Sequence, residues 1–164
     1  MVEVHVAGIA IDGRGQHVVL LKPVGESPGG GRVLPIWIGE QESTSILFAI
    51  EGVEPPRPLS HDLMKALLDV VGAELERVAV TRIAGGTYFA ELTVLLTGRT
   101  EVIDCRPSDA IALASRYGAA VWVADDVMAD SGVDDEFTQI ADEEENLEEF
   151  KKFLDEVDPE DFQG

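Results

Sequence analysis

The sequence contains one cysteine, no long apolar run and 12 basic residues against 32 acidic ones. Cys105 has no second cysteine to pair with, so an internal disulfide bond is excluded and a reducing compartment is expected. No stretch approaches the ~20 apolar residues that a membrane-spanning helix needs. The first residues lack the cationic and apolar segments of a secretory signal. We therefore expect a cytoplasmic protein that has no membrane partner.

The acidic charge is concentrated at the C-terminal end of the chain. The formal net charge is −20, of which residues 125–164 carry −15 and residues 1–124 carry −5. Because acidic runs are usually solvated, we divide the chain into a domain, residues 1–130, and an acidic tail, residues 131–164. The spacing of apolar residues in the tail predicts one amphipathic helix. The domain itself is close to neutral, so its charge does not exclude nucleic acid as a partner.

A pattern of two β-rich runs joined by a glycine-containing turn occurs twice, in residues 8–21 and 82–95. This pattern is typical of a β-hairpin. Each hairpin is followed by a third β-rich run and a helical pattern, at 33–38 and 40–50 in the first copy and at 100–105 and 108–117 in the second. The order of elements indicates an α+β fold with a duplicated β-β-β-α(α) unit, repeats over 2–72 and 74–130, and a mixed or antiparallel sheet.

Three further elements complete the predicted domain. A helix begins near Ser60, a plausible N-cap, and ends before Gly72, which suits the C′ position. Its apolar residues follow the 3.6-residue helical period: Leu63, Met64, Leu67, Leu68 and Val71. Residues 120–124 have the composition of a short buried strand, and residues 125–129 that of one helical turn.

The segment from Asp104 to Ala110 carries the first group of candidate functional residues. Pro107 fits the first turn of a helix, and the helix dipole favours a carboxylate at Asp109. Spacings of three and seven residues place Arg106, Asp109 and Arg116 on one helix face. One carboxylate and two guanidinium groups could hold a phosphate or help to position a metal ion, or they could form a structural network between helix and sheet.

The segment from Arg57 to Leu63 carries the second group. His61 has the chemistry of a general acid or base near neutral pH, Asp62 could orient it or bind a metal ion, and Arg57 could contact a phosphate. The alternative is local capping and packing at a helix start. If the repeats are related by a pseudo-twofold axis, Glu42 occupies the position that matches Asp109, and the two carboxylates could share a divalent cation.

Several familiar motifs are missing. The loop from Gly25 to Gly31 lacks the Gly-Lys-Ser/Thr ending of a phosphate-binding P-loop. The sequence has no dinucleotide-binding fingerprint, zinc-binding cysteine pairs, Gly-x-Ser-x-Gly elbow or basic patch with interleaved aromatic residues. We therefore expect no organic cofactor.

Residues 34–39, 56–63, 87–90 and 106–114 together resemble the bifunctional nuclease domain family, formerly a domain of unknown function, over roughly residues 2–130. The resemblance implies nuclease activity on DNA and RNA. The family's motif residues carry over to this sequence as Arg57, His61, Asp62, Arg106, Ser108, Asp109 and Arg116.

Two functions of different classes follow. The first is a nuclease that hydrolyses phosphodiester bonds of DNA or RNA. His61, Asp62 and Asp109 would carry the catalysis, Arg57, Arg106, Ser108 and Arg116 would bind substrate, and Mg²⁺ or Mn²⁺ would be held by some of Asp62, Asp104, Asp109 and Glu42. The second is a non-catalytic interaction or regulatory module that forms a homo-oligomer and uses the same polar residues as structural networks.

Overall fold

The computed structural model describes residues 1–26 and 31–135. The amphipathic helix predicted for the tail lies outside these residues. The described elements, in chain order, are β1 (Val2–Ile11), β2 (His17–Pro23), β3 (Arg32–Ile38), α1 (Glu40–Glu51), α2 (Ser60–Val70), β4 (Ala73–Ala84), β5 (Thr87–Leu96), β6 (Arg99–Cys105), α3 (Pro107–Tyr117), β7 (Ala120–Val123), α4 (Asp125–Ser131) and β8 (Val133–Asp134).

The strands of the described residues form one mixed sheet in the order β6-β5-β4-β7-β1-β2-β3-β8. The strands β1, β2 and β3 pair antiparallel in sequence order, and so do β4, β5 and β6. Strand β7 joins the two groups, because it pairs antiparallel with β1 and parallel with β4. The predicted α+β class and mixed sheet are confirmed, whereas the duplication of the sequence stays a prediction.

The core lies between the sheet and the helices, and α3 is the most deeply buried helix. Ile111 has no exposed surface, and Ala110, Ala112 and Ala114 are at most 1% exposed. Small side chains at these positions let α3 approach the strands closely. The same core cluster contains fully buried aliphatic residues of β2, β3 and α1 that supply much of the hydrophobic driving force for folding: Val19, Leu21, Leu34, Ile36 and Ile46.

Helix α2 begins as predicted but is capped differently. The N-cap is Leu59 and not Ser60, which is the first helical residue. The Asp62 carboxylate accepts a hydrogen bond from the backbone N–H of Leu59 at 2.7 Å, and so supplies a cap from inside the helix. Leu63 and Leu67 are 56% and 59% exposed. The apolar period that predicts this helix therefore does not mark a buried face.

The sheet continues past residue 130 to its last described strand. Helix α4 ends at Ser131, and β8 then pairs antiparallel with β3. Lys22 forms an ion pair with the buried Asp135, and Arg32 donates to the backbone oxygens of Ala129 and Gly132. No helix in residues 1–26 and 31–135 is long and apolar enough to cross a membrane.

Candidate functional site

The N-terminal turns of α1, α2 and α3 each carry an acidic residue at the third helical position. These residues are Glu42, Asp62 and Asp109. A carboxylate is favourable there because unpaired backbone N–H groups and the helix dipole make a helix N-terminus electropositive. Arg106 is the N-cap residue of α3 and lies among these turns. The three helix starts therefore supply the acidic side chains of one polar cluster.

Arg106 joins two of the carboxylates. Its Nε donates to Asp109 Oδ2 at 2.8 Å, and its Nη2 donates to Asp109 Oδ1 at 3.0 Å and to Glu42 Oε1 at 2.8 Å. The side chain of Arg106 is still 57% exposed. The hydrogen bonds that Arg106 donates to Asp109 raise the pKa of the guanidinium despite partial desolvation, and the bond to Glu42 adds to this effect. Arg106 is therefore a fixed cation that solvent can reach.

His61 lies behind this arginine, with a side chain that is 7% exposed. Its Nε2 is 2.9 Å from Asp109 Oδ1, and its Nδ1 is 2.8 Å from Ser45 Oγ. The guanidinium of Arg116 donates to the Ser45 hydroxyl, so that hydroxyl can direct its own proton to Nδ1 of His61. We therefore assign the neutral ring the tautomer in which Nε2–H donates to Asp109.

The donor to Ser45 is Arg116, whose side chain is 6% exposed. Arg116 Nε donates to Asp62 Oδ1 at 2.7 Å, and Nη1 donates to the backbone oxygens of Ser45 and Ala112 at 3.1 and 2.9 Å. These bonds connect α1, α2 and α3. Arg116 therefore holds together the helix starts on which the more exposed groups lie.

The electrostatics of the cluster keep its aspartates ionised. Burial raises the pKa of Asp109, but hydrogen bonds from Arg106 and His61 outweigh burial, and the pKa falls below its usual value. Burial also raises the pKa of Asp62, and the hydrogen bonds from Arg116 and the Leu59 N–H reverse the effect. Both groups are therefore carboxylates at neutral pH.

A cleft of about 730 Å³ opens over this cluster. Its walls come from the first turns of α1 and α2 and from the start of α3. The lining residues are Glu40, Gln41, Glu42, Thr44, Ser45, Leu59, Ser60, His61, Met64, Arg106 and Asp109. The size is that of a pocket for a small organic ligand or a nucleotide unit.

The structure brings most of the sequence-predicted residues together. Glu42, His61, Arg106 and Asp109 line the cleft. The guanidinium of Arg106 joins Glu42 to Asp109, and the divalent cation that these two carboxylates were expected to share stays a prediction. Asp62 and Arg116 lie behind these residues and do not line the cleft.

The other three candidates lie outside the cleft. Arg57 is exposed and has no ion pair within the described residues. Asp104 is exposed on the edge strand β6. Ser108 is 1% exposed, and within residues 1–26 and 31–135 its hydroxyl has no hydrogen-bond partner.

The arrangement of carboxylates does not fit a divalent cation as it stands. Arg106 Nη2 lies within 3.0 Å of both Glu42 Oε1 and Asp109 Oδ1 and so occupies the position between them that a cation would take. Asp62 is directed to Arg116. No group of three His, Cys, Asp or Glu residues in the described ranges is placed to hold a metal ion. The metal site stays a prediction that requires Arg106 to move.

Ser45 and Met64 are site residues that the sequence analysis missed. Ser45 is 3% exposed and precedes the fully buried Ile46. A serine hydroxyl in a buried stretch of helix needs a partner, which is the signal that could have identified it. Met64 belongs to an apolar stripe, and nothing in that stripe distinguishes the side chain that borders a cleft.

The chain matches known proteins over most of its length. The bifunctional nuclease domain model matches residues 19–136. An uncharacterized protein of Mycobacterium tuberculosis is 39% identical over 170 aligned residues, which cover 100% of this chain and 99% of that protein.

Plant proteins named as nucleases match a shorter part. Bifunctional nuclease 1 of Arabidopsis thaliana is 35% identical over 98 residues, 58% of this chain and 30% of that protein. Bifunctional nuclease 1 of Oryza sativa subsp. japonica is 28% identical over 115 residues, 68% of this chain and 34% of that protein. The four segments that carry the resemblance all lie within residues 19–136, which the family model matches. The chain belongs to the bifunctional nuclease domain family.

Proposed function

We propose that this protein is a nuclease that hydrolyses phosphodiester bonds of DNA or RNA at the cleft over His61, Arg106 and Asp109. The observation that carries the proposal is the position of Arg106, whose permanently charged side chain is 57% exposed and is fixed beside a histidine–aspartate pair. A guanidinium held in this way can bind a phosphate and offset the charge that develops on it. Membership of a family whose plant proteins are named nucleases supports the same reaction class.

Asp109 and His61 have different roles in the proposed reaction. Asp109 is 22% exposed, so its carboxylate can accept a hydrogen bond from the attacking water. His61 has both ring nitrogens hydrogen-bonded within the protein. Its role as general acid or base therefore requires the Nε2 bond to Asp109 to open when substrate binds. A ring that remains closed would still hold Asp109 in place.

The test is cleavage of end-labelled DNA and RNA by the purified full chain, with Mg²⁺, Mn²⁺ or EDTA. We expect cleavage, and we expect Asp109→Asn to lower the rate by about 100-fold or more. The matched control is Asp69→Asn, because Asp69 is an exposed aspartate of α2 that does not line the cleft. An Asp109→Asn protein that folds normally and cuts at the wild-type rate would exclude this site.

The same assay tests the divalent metal. The prediction of Mg²⁺ or Mn²⁺ dependence is separate from the assignment of the site, because the carboxylates are already neutralised in part by Arg106. Loss of activity in EDTA and its recovery with either metal would support it. Full activity in EDTA would contradict it and leave the arginine as the cation of the site.

A non-catalytic, homo-oligomeric module is the second candidate. It is favoured by the exposed edge strand β6, on which Val102 and Ile103 are 59% and 46% exposed. An open edge strand can pair with a second copy of itself. We expect Val102→Lys to dissociate such an oligomer in analytical ultracentrifugation, with Glu74→Lys on β4 as control. In this case Asp109→Asn lowers the melting temperature and there is no cleavage to lose.

The cytoplasmic location stays a prediction from the single cysteine.

A further inference from the structure

The charge of the cleft limits how much nucleic acid can bind there. Arg106 is the one basic residue that lines the described cleft, and Glu40, Glu42 and Asp109 are its acidic residues. With His61 neutral, the lining has a formal charge of −2. Proteins that bind duplex nucleic acid neutralise many backbone phosphates with a row of basic side chains. A lining with this charge can accept a phosphate at Arg106 and repels the phosphates on either side.

The rest of the described surface supplies no row of cations to the cleft. None of the other nine arginines and lysines in residues 1–26 and 31–135 lines it. Arg116 is buried against Asp62. Arg57 is exposed and lies two residues before Leu59, a lining residue, so it is the candidate for one further phosphate contact at the rim.

The lining of the cleft also includes two apolar side chains. These are Leu59 and Met64, and Met64 is 40% exposed. A methionine side chain is polarisable and adapts its shape to a flat partner. Nucleic-acid bases bind to apolar and aromatic surfaces with little regard to sequence once they are unstacked from a duplex. The cleft therefore pairs a single cation with a surface suited to an unstacked base.

We infer that the cleft binds one phosphodiester of a single strand, with its phosphate at Arg106 and an adjacent base against Met64, and that it does not accept a duplex. The inference rests on the proposed function, because it names the substrate class of that site. It predicts weak dependence of binding on salt. One neutralised phosphate of a single strand gives a slope of log K against log salt of about −0.7, and two phosphates, if Arg57 contributes, about −1.4.

The test is fluorescence anisotropy with a labelled single-stranded hexanucleotide whose phosphorothioate linkages resist hydrolysis, and with a duplex of the same sequence. The expected results are a slope between about −0.7 and −1.4 and binding of the single strand over the duplex. We expect Arg106→Gln to weaken binding by about 10-fold or more, since a charge-assisted hydrogen bond is lost. Arg106→Lys, which keeps the charge, should recover part of the affinity.

The apolar wall has its own pair of variants. We expect Met64→Ser to weaken binding of the single strand by about 5- to 10-fold through loss of apolar contact, without changing the salt slope. Leu67→Ser, an exposed position of the same helix that does not line the cleft, should leave binding unchanged. Equal effects of the two substitutions would contradict the assignment of Met64 to the base.

The outcomes separate this inference from the proposed function. A slope steeper than about −3, tighter binding of the duplex, or no binding of the single strand would overturn the inference, even if the protein cuts nucleic acid. A shallow slope with the expected variant effects, in a protein that cuts no natural-linkage oligonucleotide, would support the binding site and overturn the nuclease proposal.

Discussion

Replacement of the buried Arg116 by glutamine tests whether the polar cluster holds the three helices together. Arg116 donates to Asp62, to Ala112 and to both the backbone oxygen and the hydroxyl of Ser45. Glutamine keeps some polarity, but it is shorter and uncharged and cannot reach all of these acceptors. The Asp62 carboxylate then loses its cation, and the Ser45 hydroxyl loses the donor that orders its own proton.

The magnitude follows from burial. Removal of one partner from a buried ion pair costs about 3–5 kcal/mol, because the other charge is left without compensation. Asp62 is 30% exposed and keeps its hydrogen bond from the Leu59 N–H, so water and the backbone offset part of the loss. We therefore place the effect at the lower end and expect the free energy of unfolding to fall by about 3 kcal/mol. For a domain of this size that corresponds to about 10 °C in melting temperature.

Urea unfolding followed by circular dichroism measures this change. Arg99→Gln is the control, since Arg99 is 69% exposed and pairs with the exposed Glu101, and its free energy of unfolding should change by less than about 0.5 kcal/mol. The double variant with Asp62→Asn should cost little more than Arg116→Gln alone, because both remove the same pair. A loss below about 1 kcal/mol for Arg116→Gln, or full additivity with Asp62→Asn, would refute the structural role.

Three further changes test other parts of the site. In Gly39→Ala the new Cβ would lie 2.2 Å from Glu42 Oε2, so the flexible Glu42 side chain should move away from Arg106. The free energy of unfolding should change by less than about 1 kcal/mol, and fluorescence anisotropy should show tighter binding of the single strand. Weaker binding would contradict the idea that Glu42 competes with the phosphate for Arg106. Burial and nearby carboxylates raise the pKa of the Cys105 thiol to about 12, so iodoacetamide should modify the native protein far more slowly at pH 8 than the protein unfolded in urea; similar rates would contradict the burial. The folded-state pKa of Asp109 is lowered, so the unfolded state binds more protons in acid. The stability contributed by this carboxylate should therefore be lost as the pH falls through about 4 and below. Asp109→Asn should flatten this part of the profile of unfolding free energy against pH, measured by urea unfolding, and an unchanged profile would show that Asp109 does not contribute.

The elements were predictable because local signals fix them. The helix that begins at Pro107 combines a proline at its first position with glycine at its end, and Gly118 has a left-handed φ of 64°. The convergence of the motifs was also predictable in part. The motif residues stand at the starts of α1, α2 and α3, and α3 packs against both other helices. Arg106 therefore meets Glu42 across 64 residues, and His61 meets Asp109 across 48.

The partners and exposures within the site were not predictable in the same way. The spacing of Arg116 from Asp109 places both on one helix face, yet Arg116 pairs with Asp62 of a different helix. Which carboxylate an arginine reaches depends on how the helices cross, and a sequence period carries no such information. Leu63 and Leu67 illustrate the same limit, because a period identifies an apolar stripe without showing what covers it.

The two arginines of the cluster differ in exposure, and we therefore assign them different roles. Arg116 is 6% exposed and fully engaged, whereas Arg106 is 57% exposed and makes two hydrogen bonds to Asp109 but one to Glu42. A phosphate that enters the cleft must share the guanidinium with these carboxylates, and it can displace the single bond to Glu42 at a lower cost than the paired bonds to Asp109. The geometry thus predicts an exchange in which substrate takes the place of Glu42, while the paired bonds to Asp109 keep Arg106 oriented toward the incoming group.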